Sequence, residues 1–199
     1  MQHYWTENDI PDNLIDNNFY FCGKEYNFIT SDGVFSKSAL DFGSMTLVKA
    51  FIENACNLAN AEVLDVGCGY GAMDIVLADK LDVKIDMADI SGRAIYLANL
   101  NIDRYNFSDR LKTIKSDKYE NIMGTYDYII TNPPIRTGKK NVHEIILGAY
   151  DYLKKDGALY IVISKKQGAK SAIKALESVY SKVEVIKKDR GYYIILAIK

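Results

Sequence analysis

Two short segments of this sequence contain residue types and spacings that can do chemistry. The first is LDVGCGYG at 64–71, in which three alternate glycines follow a short apolar run. Glycine between a strand and a helix lets a ligand approach the backbone closely, as in nucleotide-binding α/β sheets. The second is IITNPPIRTGKK at 129–140, in which an apolar run ends at Asn132 and two prolines follow. The sequence therefore predicts a ligand-binding loop and a rigid polar loop.

The glycine loop carries an acidic residue ahead of its glycines. Asp65 stands before Gly67, Gly69 and Gly71. The G-x-G-x-G spacing differs from the G-x-G-x-x-G of dinucleotide folds, which leaves an NAD oxidoreductase as a distant alternative. A carboxylate at that place suits a cation better than a diphosphate. S-adenosylmethionine carries an ammonium and a sulfonium group, so we predict that Asp65 contacts the ammonium group directly or through water.

Two further strand ends supply polar side chains. Asp89 ends the predicted strand 83–90, where a carboxylate can accept both ribose hydroxyl groups. Ser116 and Asp117 follow the next predicted strand, where the carboxylate can accept from an adenine amino group. Taken alone, Asp89 has the alternative of a helix N-terminal charge, and Asp117 is no better than a loop acid. Together with the glycine loop they predict an adenosine site.

The Asn-Pro-Pro loop offers hydrogen-bond acceptors. Prolines fix φ and lack a backbone donor, so the Asn132 side-chain oxygen and the Pro133 carbonyl remain as two acceptors beside Pro134. Two acceptors aimed at one point suit an NH2 group. The lone pair of an aromatic amine is delocalised into its ring, and holding the two N–H bonds out of the ring plane localises that pair on nitrogen. Alignment of the nitrogen with a methyl group then supplies much of the remaining rate enhancement of methyl transfer. We predict these three residues as catalytic, the alternative being a turn that only ends a strand.

Helices and strands alternate along the part of the chain that holds these loops. Helices are predicted at 41–57, 71–80, 91–106, 141–154 and 169–181, and strands at 62–67, 83–90, 111–116, 126–132, 158–164, 183–188 and 192–199. This alternation predicts an α/β fold with a doubly wound, mainly parallel sheet whose last two strands are antiparallel. Residues 1–40 predict a short N-terminal β-hairpin appendage, FYFC and YNFI around Gly23, before an α/β domain at 41–199.

Composition excludes several classes of protein. The 199 residues are 48% hydrophobic and 26% charged, which suits one globular domain. The beginning of the sequence does not resemble a signal peptide, and no apolar stretch approaches about 18 residues, so we expect a cytoplasmic protein without a membrane partner. Three widely spaced cysteines argue against a disulfide framework, and two histidines argue against a metal site. The net charge of -1 argues against a generally basic nucleic-acid binder.

Cations nevertheless cluster after three of the predicted strands. The clusters are Arg136, Lys139 and Lys140; Lys165, Lys166 and Lys170; and Lys187, Lys188 and Arg190. Because parallel strands end at one edge of a sheet, all three clusters are predicted at the edge that binds ligands. A single Lys-Lys pair is typical of a solvated surface, but three on one edge are what a phosphate backbone requires.

These segments together resemble the class I S-adenosylmethionine-dependent methyltransferases, and within them the small methyltransferase domain of the ribosomal RNA guanine-N2 methyltransferases. The resemblance runs through SDGVFS at 31–36, LDFGS at 40–44, LDVGCGYG, MADIS, KSD and TNPPIRTGKK. It implies a Rossmann-like seven-stranded sheet of order 3-2-1-4-5-7-6, with S-adenosyl-L-methionine as cofactor and no metal. The implied cofactor-binding residues are Phe35, Ser36, Asp41, Asp65, Gly67, Cys68, Gly69, Gly71, Asp89, Ile90, Ser116, Asp117 and Asn132.

The resemblance also implies an acceptor, guanine N2 of ribosomal RNA, and a ribosomal RNA or ribosomal subunit as partner. The predicted RNA-binding residues are Ile135, Arg136, Lys139, Lys140, Lys165, Lys166, Lys187, Lys188 and Arg190. Two features depart from the family: the chain has one methyltransferase-like unit, and Ile135 stands where many amino-group methyltransferases have an aromatic residue. The alternatives are therefore methylation of a protein glutamine amide or of adenine N6, and a non-catalytic module that binds cofactor or RNA.

Overall fold

The computed structural model describes Ile10 and residues 13–32, 40–56, 58–134 and 138–199. Nine strands are found in these residues: β1 (Leu14–Phe21), β2 (Lys24–Ser31), β3 (Ala61–Val66), β4 (Val83–Asp89), β5 (Leu111–Lys115), β6 (Tyr126–Thr131), β7 (Leu153–Ser164), β8 (Lys182–Asp189) and β9 (Tyr192–Ile198). The helices are α1 (Phe42–Asn54), α2 (Ala72–Lys80), α3 (Gly92–Tyr105), α4 (Lys139–Tyr152) and α5 (Ala169–Leu176).

Seven of the strands form one sheet in the order β5-β4-β3-β6-β7-β9-β8. Strand β9 pairs antiparallel with β7 and with β8, and the remaining pairs are parallel. Numbered from β3, this order is 3-2-1-4-5-7-6, so the predicted fold class and topology are confirmed. The order reverses between β3 and β6, which is where ligands bind in doubly wound sheets.

The sheet is covered on both faces by helices. On one face α1, α2 and α3 bury apolar side chains, among them Phe51, Ile75 and Leu97, against the strands. On the other face α4 and α5 bury Ile146 and Leu176 in a second cluster. This arrangement makes the central strands apolar on both sides and leaves their carboxyl ends as the polar edge of the sheet.

The N-terminal hairpin packs onto α3. Strands β1 and β2 are joined by Cys22 and Gly23, whose φ angles of 48° and 80° suit a two-residue hairpin turn. Tyr26 and Phe28 of β2 are fully buried in the same cluster as α3. The Asn101 side chain accepts from the Ile29 N–H at 2.7 Å. The predicted N-terminal hairpin is therefore confirmed, and it packs against α3.

Three element boundaries differ from the prediction. Helix α1 ends at Asn54 and α5 at Leu176, several residues earlier than expected. Strand β7 begins at Leu153, where a helix was predicted to continue, because Leu153 pairs with Tyr126 before an irregularity in the ladder. The helical spacing of apolar residues does not show at which residue a helix ends and strand pairing begins.

Candidate active site

A cavity of about 880 Å³ lies at the carboxyl edge of the central strands. Its volume is typical of small-molecule sites. Three regions surround it: the glycine loop with the end of β4, the turn after β5, and the end of β6 with the starts of α1 and β9. The predicted site residues that line it are Asp41, Gly67, Cys68, Gly69, Asp89, Ile90, Ser116, Asp117, Asn132, Pro133 and Pro134.

The glycine loop joins β3 to α2 and presents its backbone to the cavity. The N–H groups of Gly67 and Cys68 donate to the Ala88 carbonyl at 2.8 and 3.0 Å, which anchors the loop to β4. Gly67 and Gly69 have φ angles of +87° and +59°, and a Cβ atom on either would meet nothing within 4 Å. The open space beside them is where a ligand can lie against the backbone.

Gly71 has a different role from the first two glycines. Its φ is +83°, and a Cβ atom there would lie 2.6 Å from the Met87 side chain of β4. A glycine therefore lets α2 pack closely against β4. The predicted cofactor contact of Gly71 has no support in this geometry, since the residue faces the packed core and does not line the cavity.

Asp89 connects the glycine loop to the beginning of α3. Its Oδ2 accepts from the Gly69 N–H at 2.9 Å, and its Oδ1 accepts from the Ser91 N–H at 2.8 Å. Burial raises the pKa of Asp89, while these two donors lower it. Each carboxylate oxygen still has a lone pair for another donor. Asp89 can therefore hold the loop and accept ligand hydroxyl groups together.

Two carboxyl groups are buried behind the glycine loop. Asp65 on β3 and Asp74 on α2 are fully buried, and no donor group in the described residues contacts either carboxylate. Burial and the carboxylates of Asp74 and Asp89 raise the pKa of Asp65, and burial raises the pKa of Asp74 to about 7. Asp65 does not line the cavity. Its predicted contact with an ammonium group has no support in this geometry, because its side chain faces a helix.

The Cys68 thiol lies between these buried carboxyl groups and the cavity. Burial raises the pKa of Cys68 well above its ordinary value, and Asp89 and Asp74 raise it further. The thiol therefore stays protonated at neutral pH, so it is a small packing group and not a nucleophile.

The turn after β5 forms another wall of the cavity. Ser116 Oγ donates to the Lys118 carbonyl at 3.0 Å, so this side chain closes the turn. Asp117 is half-buried, and its carboxylate lies 3.5 Å from the Lys118 ammonium group. Ile90 lines the cavity with 65% of its surface exposed. An exposed apolar side chain beside a partly exposed carboxylate suits the face and the amino edge of an adenine ring.

Asn132 follows β6 and is held by the start of α1. Its Nδ2 donates to Asp41 Oδ2 at 3.1 Å and to Ser44 Oγ at 2.9 Å. Asp41 also caps α1, since its Oδ1 accepts from the Gly43 and Ser44 N–H groups at 2.8 and 3.1 Å. The amide of Asn132 is thus oriented by a network that the sequence did not reveal.

Several cavity residues were missed by the sequence analysis. Ser44, Gln167 and Tyr192 line the cavity beside Asn132. Tyr192 begins β9 opposite Ser164, the last residue of β7. The short turn between β8 and β9 could have indicated that Tyr192 returns to the ligand-binding edge. Ser44 had no such signal, because its contact with Asn132 joins segments that are far apart in sequence.

The predicted cations lie around this edge with different partners. Lys139, Lys140, Lys165 and Lys166 are exposed. Lys188 lies over the Tyr193 ring at 5.2 Å, and Arg190 over the Phe42 ring at 4.7 Å. We refer to Lys139, Lys140, Lys165, Lys166, Lys188 and Arg190 as the basic rim.

Two of these cations are paired with acids of the chain. The Lys140 ammonium group lies 3.9 Å from the Glu144 carboxylate within α4, and Lys187 is paired more closely. Its ammonium group lies 3.1 Å from the Glu53 carboxylate at the end of α1. Its charge is therefore largely compensated within the chain, which argues against its predicted RNA contact.

The remaining predictions concern four site residues, metal binding and membrane spans. Phe35, Ser36, Ile135 and Arg136 lie outside the described residues. Among the residues that the structure describes, no group of three or more His, Cys, Asp or Glu side chains could hold a metal ion. In the same part of the chain, no helix is long and apolar enough to cross a membrane.

Two curated relatives are similar to most of the chain. A Bacillus subtilis (strain 168) protein, "Uncharacterized protein YbxB", is 42% identical over 100% of this chain and 98% of its own length. Ribosomal RNA small subunit methyltransferase C of Buchnera aphidicola subsp. Cinara cedri is 39% identical over 82% of this chain and 46% of its own length. The chain thus spans about half of the second relative.

Solved structures share the fold. The T. thermophilus 16S rRNA N2 G1207 methyltransferase, in complex with AdoMet and guanosine, superimposes with a TM-score of 0.83 at 23% identity, covering 95% of this chain and 51% of that one. The ribosomal protein L11 methylase of Lactobacillus delbrueckii subsp. bulgaricus gives a TM-score of 0.69 at 19% identity, covering 80% of each chain. The family model for the methyltransferase small domain matches residues 25–196. The chain therefore belongs to the methyltransferase small domain family, whose cofactor is S-adenosyl-L-methionine.

Proposed function

We propose that this protein is a cytoplasmic enzyme that transfers a methyl group from S-adenosyl-L-methionine to N2 of guanine in small-subunit ribosomal RNA. The observation that carries the proposal is the side chain of Asn132, whose amide is held by Asp41 and Ser44 at the wall of a cavity that also contains the glycine loop. The substrate class follows the names of the relatives, and the basic rim supports it.

The cavity fits this cofactor. Open space beside Gly67 and Gly69 accommodates a ligand against the loop, and Asp89 retains lone pairs for ribose hydroxyl groups. Asp117 and Ile90 are placed for the adenine ring at the next wall. Bound S-adenosyl-L-methionine would supply an electrophilic methyl group on a sulfonium. Above about pH 7, where Asp74 ionises, its buried carboxylate favours positive charge in the cavity.

The chain's own residues act on the acceptor amine. The Asn132 Oδ1 and the Pro133 carbonyl accept the two N–H bonds of the guanine amino group and direct its lone pair towards the methyl group. With S-adenosyl-L-methionine bound, its sulfonium would be the leaving group for the methyl carbon, and the amine nitrogen that takes up the methyl group would lose one proton to solvent. The two acceptors supply orientation and charge stabilisation, so a strong base is not required.

The basic rim surrounds the mouth of the cavity. Lys165 and Lys166 follow β7, and Lys139 and Lys140 begin α4. Phosphate groups of a folded RNA can contact these exposed cations while one nucleotide is extruded into the cavity. The net charge of the whole chain is only -1, so these local charges set the direction from which RNA approaches.

A methyl-transfer assay tests the proposal. Unmodified small-subunit ribosomal RNA, and subunits assembled from it, are incubated with the enzyme and methyl-labelled S-adenosyl-L-methionine, and nucleosides are identified by mass spectrometry. We expect N2-methylguanosine, and a loss of about 10³-fold in rate for Asn132→Ala. The control Asn54→Ala removes an exposed amide at the other end of α1 and should keep the wild-type rate.

Three results would contradict the proposal. They are label in N6-methyladenosine, label on a protein glutamine, and an unchanged rate for Asn132→Ala. The first two would reassign the acceptor to the alternatives predicted from the sequence, and the third would remove Asn132 from the reaction.

A further inference from the structure

The carboxylate of Asp41 serves two parts of the molecule, one with each oxygen. Oδ1 accepts from the Gly43 and Ser44 N–H groups and caps α1. Oδ2 accepts from Ser44 Oγ at 2.8 Å and from Asn132 Nδ2 at 3.1 Å. A cap needs only the first oxygen, so the second is available to act on Asn132.

This network allows one orientation of the Asn132 amide. A carboxylate only accepts hydrogen bonds, and the Ser44 hydroxyl proton is already donated to Asp41 Oδ2. The group that Asn132 presents to both of them must therefore be NH2, which is the arrangement observed at 3.1 and 2.9 Å. The amide oxygen Oδ1 then remains for the cavity as an acceptor.

The surrounding packing keeps Asp41 in this place. A Cβ atom on Gly43 would lie 3.0 Å from Asp41 Oδ1 and 3.1 Å from the Tyr192 ring, so the glycine allows the ring to lie directly against the start of α1. Ser44 is 7% exposed. The hydrogen bonds to Asn132 are therefore largely shielded from competing water, which strengthens them.

We propose that Asp41 and Ser44 are positioning residues that fix the Asn132 side chain with its oxygen, and not its NH2 group, towards the acceptor amine. The proposal rests on the proposed function in one respect, namely that Asn132 receives that amine. It also gives Asp41 a role other than the cofactor contact that the family resemblance implied. A flipped amide would present donors to the N–H bonds of the substrate and would repel them.

The variant Asp41→Asn isolates the second oxygen. The Asn oxygen can still cap α1, while its NH2 group replaces Oδ2 and turns the Asn132 amide around. We expect kcat for methyl transfer to the RNA to fall about 100-fold, with the Kd for S-adenosyl-L-methionine changed by less than about threefold. Ser44→Ala removes one of the two acceptors and should lower kcat by about tenfold.

A double variant in which Asp41 and Asn132 swap their side chains provides the matched control. In Asp41→Asn/Asn132→Asp the NH2 group lies on residue 41, the carboxylate on residue 132, and the net charge is unchanged. An oxygen of residue 132 again faces the cavity. We expect kcat at least about tenfold above that of either single variant, as residues in direct contact should show. A merely structural role would restore the melting temperature of the double variant without restoring kcat.

A second measurement does not depend on any acceptor. In the 15N-labelled wild-type protein, the Asn132 side-chain NH2 protons should exchange with solvent at least about tenfold more slowly than those of the exposed Asn60, and Asp41→Asn should remove this protection. Fast exchange in the wild type would overturn the proposal. So would an Asp41→Asn variant that weakens cofactor binding and keeps kcat. Failure of the proposed function is a separate result, in which the wild type does not methylate guanine although its Asn132 amide is protected.

Discussion

The cavity has two halves that are built differently. The cofactor half is formed by the glycine loop and the ends of β4 and β5, which follow one another along the chain between residues 66 and 118. The acceptor half is formed by Asn132 and by the starts of α1 and β9, which are brought together from distant parts of the sequence. In the cofactor half, backbone groups of the glycine loop form most of the binding surface. In the acceptor half, a network of hydrogen-bonded side chains forms it.

The charges of the two halves also differ. The acids behind the glycine loop, Asp65 and Asp74, are buried without donors among the described residues. In the acceptor half, the Asp41 carboxylate receives four hydrogen bonds, and cations surround the mouth of the cavity. This contrast suggests that one half is adapted to a cationic ligand and the other to an anionic polymer. Three changes test whether the halves are separable.

The largest expected effect is on the cofactor half. Asp89→Ala removes the acceptor for the Gly69 and Ser91 N–H groups and for the proposed ribose contact. We expect the Kd for S-adenosyl-L-methionine, measured by calorimetry, to rise about 100-fold, because a buried carboxylate with several donors is lost. At saturating cofactor, kcat should change by less than about threefold.

Asp82→Ala is the control for this change, since it removes an exposed acid at the start of β4. The two halves would not be separable if kcat of Asp89→Ala at saturating cofactor fell by as large a factor as its affinity for the cofactor. In that case the loop would also position the acceptor.

The second effect is on the basic side of the acceptor half. Lys165, Lys166 and Lys170 are exposed after the end of β7. Replacing all three by Ala should weaken binding to small-subunit ribosomal RNA by about 30-fold at physiological salt and reduce the salt slope of log Kd by about 3. The Kd for the cofactor should not change, because these lysines do not line the cavity.

A matched triple variant is available at the opposite edge of the sheet. Lys84, Lys112 and Lys155 are also exposed and lie near the amino ends of β4, β5 and β7. Their replacement by Ala changes the net charge equally and should leave the salt slope almost unchanged. Equal salt slopes of log Kd for both triple variants would mean that RNA binding depends on the total charge of the protein and not on the position of the lysines. RNA binding could then no longer be assigned to the basic rim.

The difference between the halves also explains what the sequence could predict. The mainly parallel, doubly wound sheet and the glycine loop were predicted correctly, because alternating elements and βαβ handedness restrict the topology, and Gly67 and Gly69 form their loop within one short segment. The strand order itself was implied by the family resemblance. The Asn132 loop was recognised as a feature, but Ser44 and Tyr192 were missed. Their contacts depend on the packing of α1 and β9, which no local pattern encodes.

Two predicted cofactor contacts lack support in the geometry for the same physical reason. Asp65 and Gly71 were assigned to the cofactor from their positions beside the glycines, yet Asp65 faces α2 and Gly71 packs on Met87. A strand that is buried on both faces gives no alternation from which the direction of a side chain can be inferred. Lys187 was likewise grouped with its neighbours, although its ammonium group pairs with Glu53 on another element.

The smallest expected effect concerns the buried acids of the cofactor half. Burial raises the pKa of Asp74 to about 7, whereas in the unfolded chain this carboxyl group ionises near its ordinary pKa of 3.8. Between these two pH values the folded state holds a proton that the unfolded state has lost, so stability falls as pH rises from about 4 to about 7. Asp74→Asn removes this ionisation and offers the Asp65 carboxylate a donor.

We therefore expect Asp74→Asn to stabilise the fold at pH 8 by about 1–2 kcal/mol, raising Tm by about 3–6 °C, and to flatten the pH dependence of Tm between about pH 4 and 7. The exposed Asp109→Asn serves as control and should change neither quantity. Since the Asp74 carboxylate is ionised at pH 8 and favours a cation in the cavity, the stabilised variant should also bind S-adenosyl-L-methionine less tightly at this pH, by about threefold. A less stable Asp74→Asn protein with unchanged cofactor affinity would show that these acids are satisfied within the fold, and the electrostatic contrast between the two halves would no longer hold.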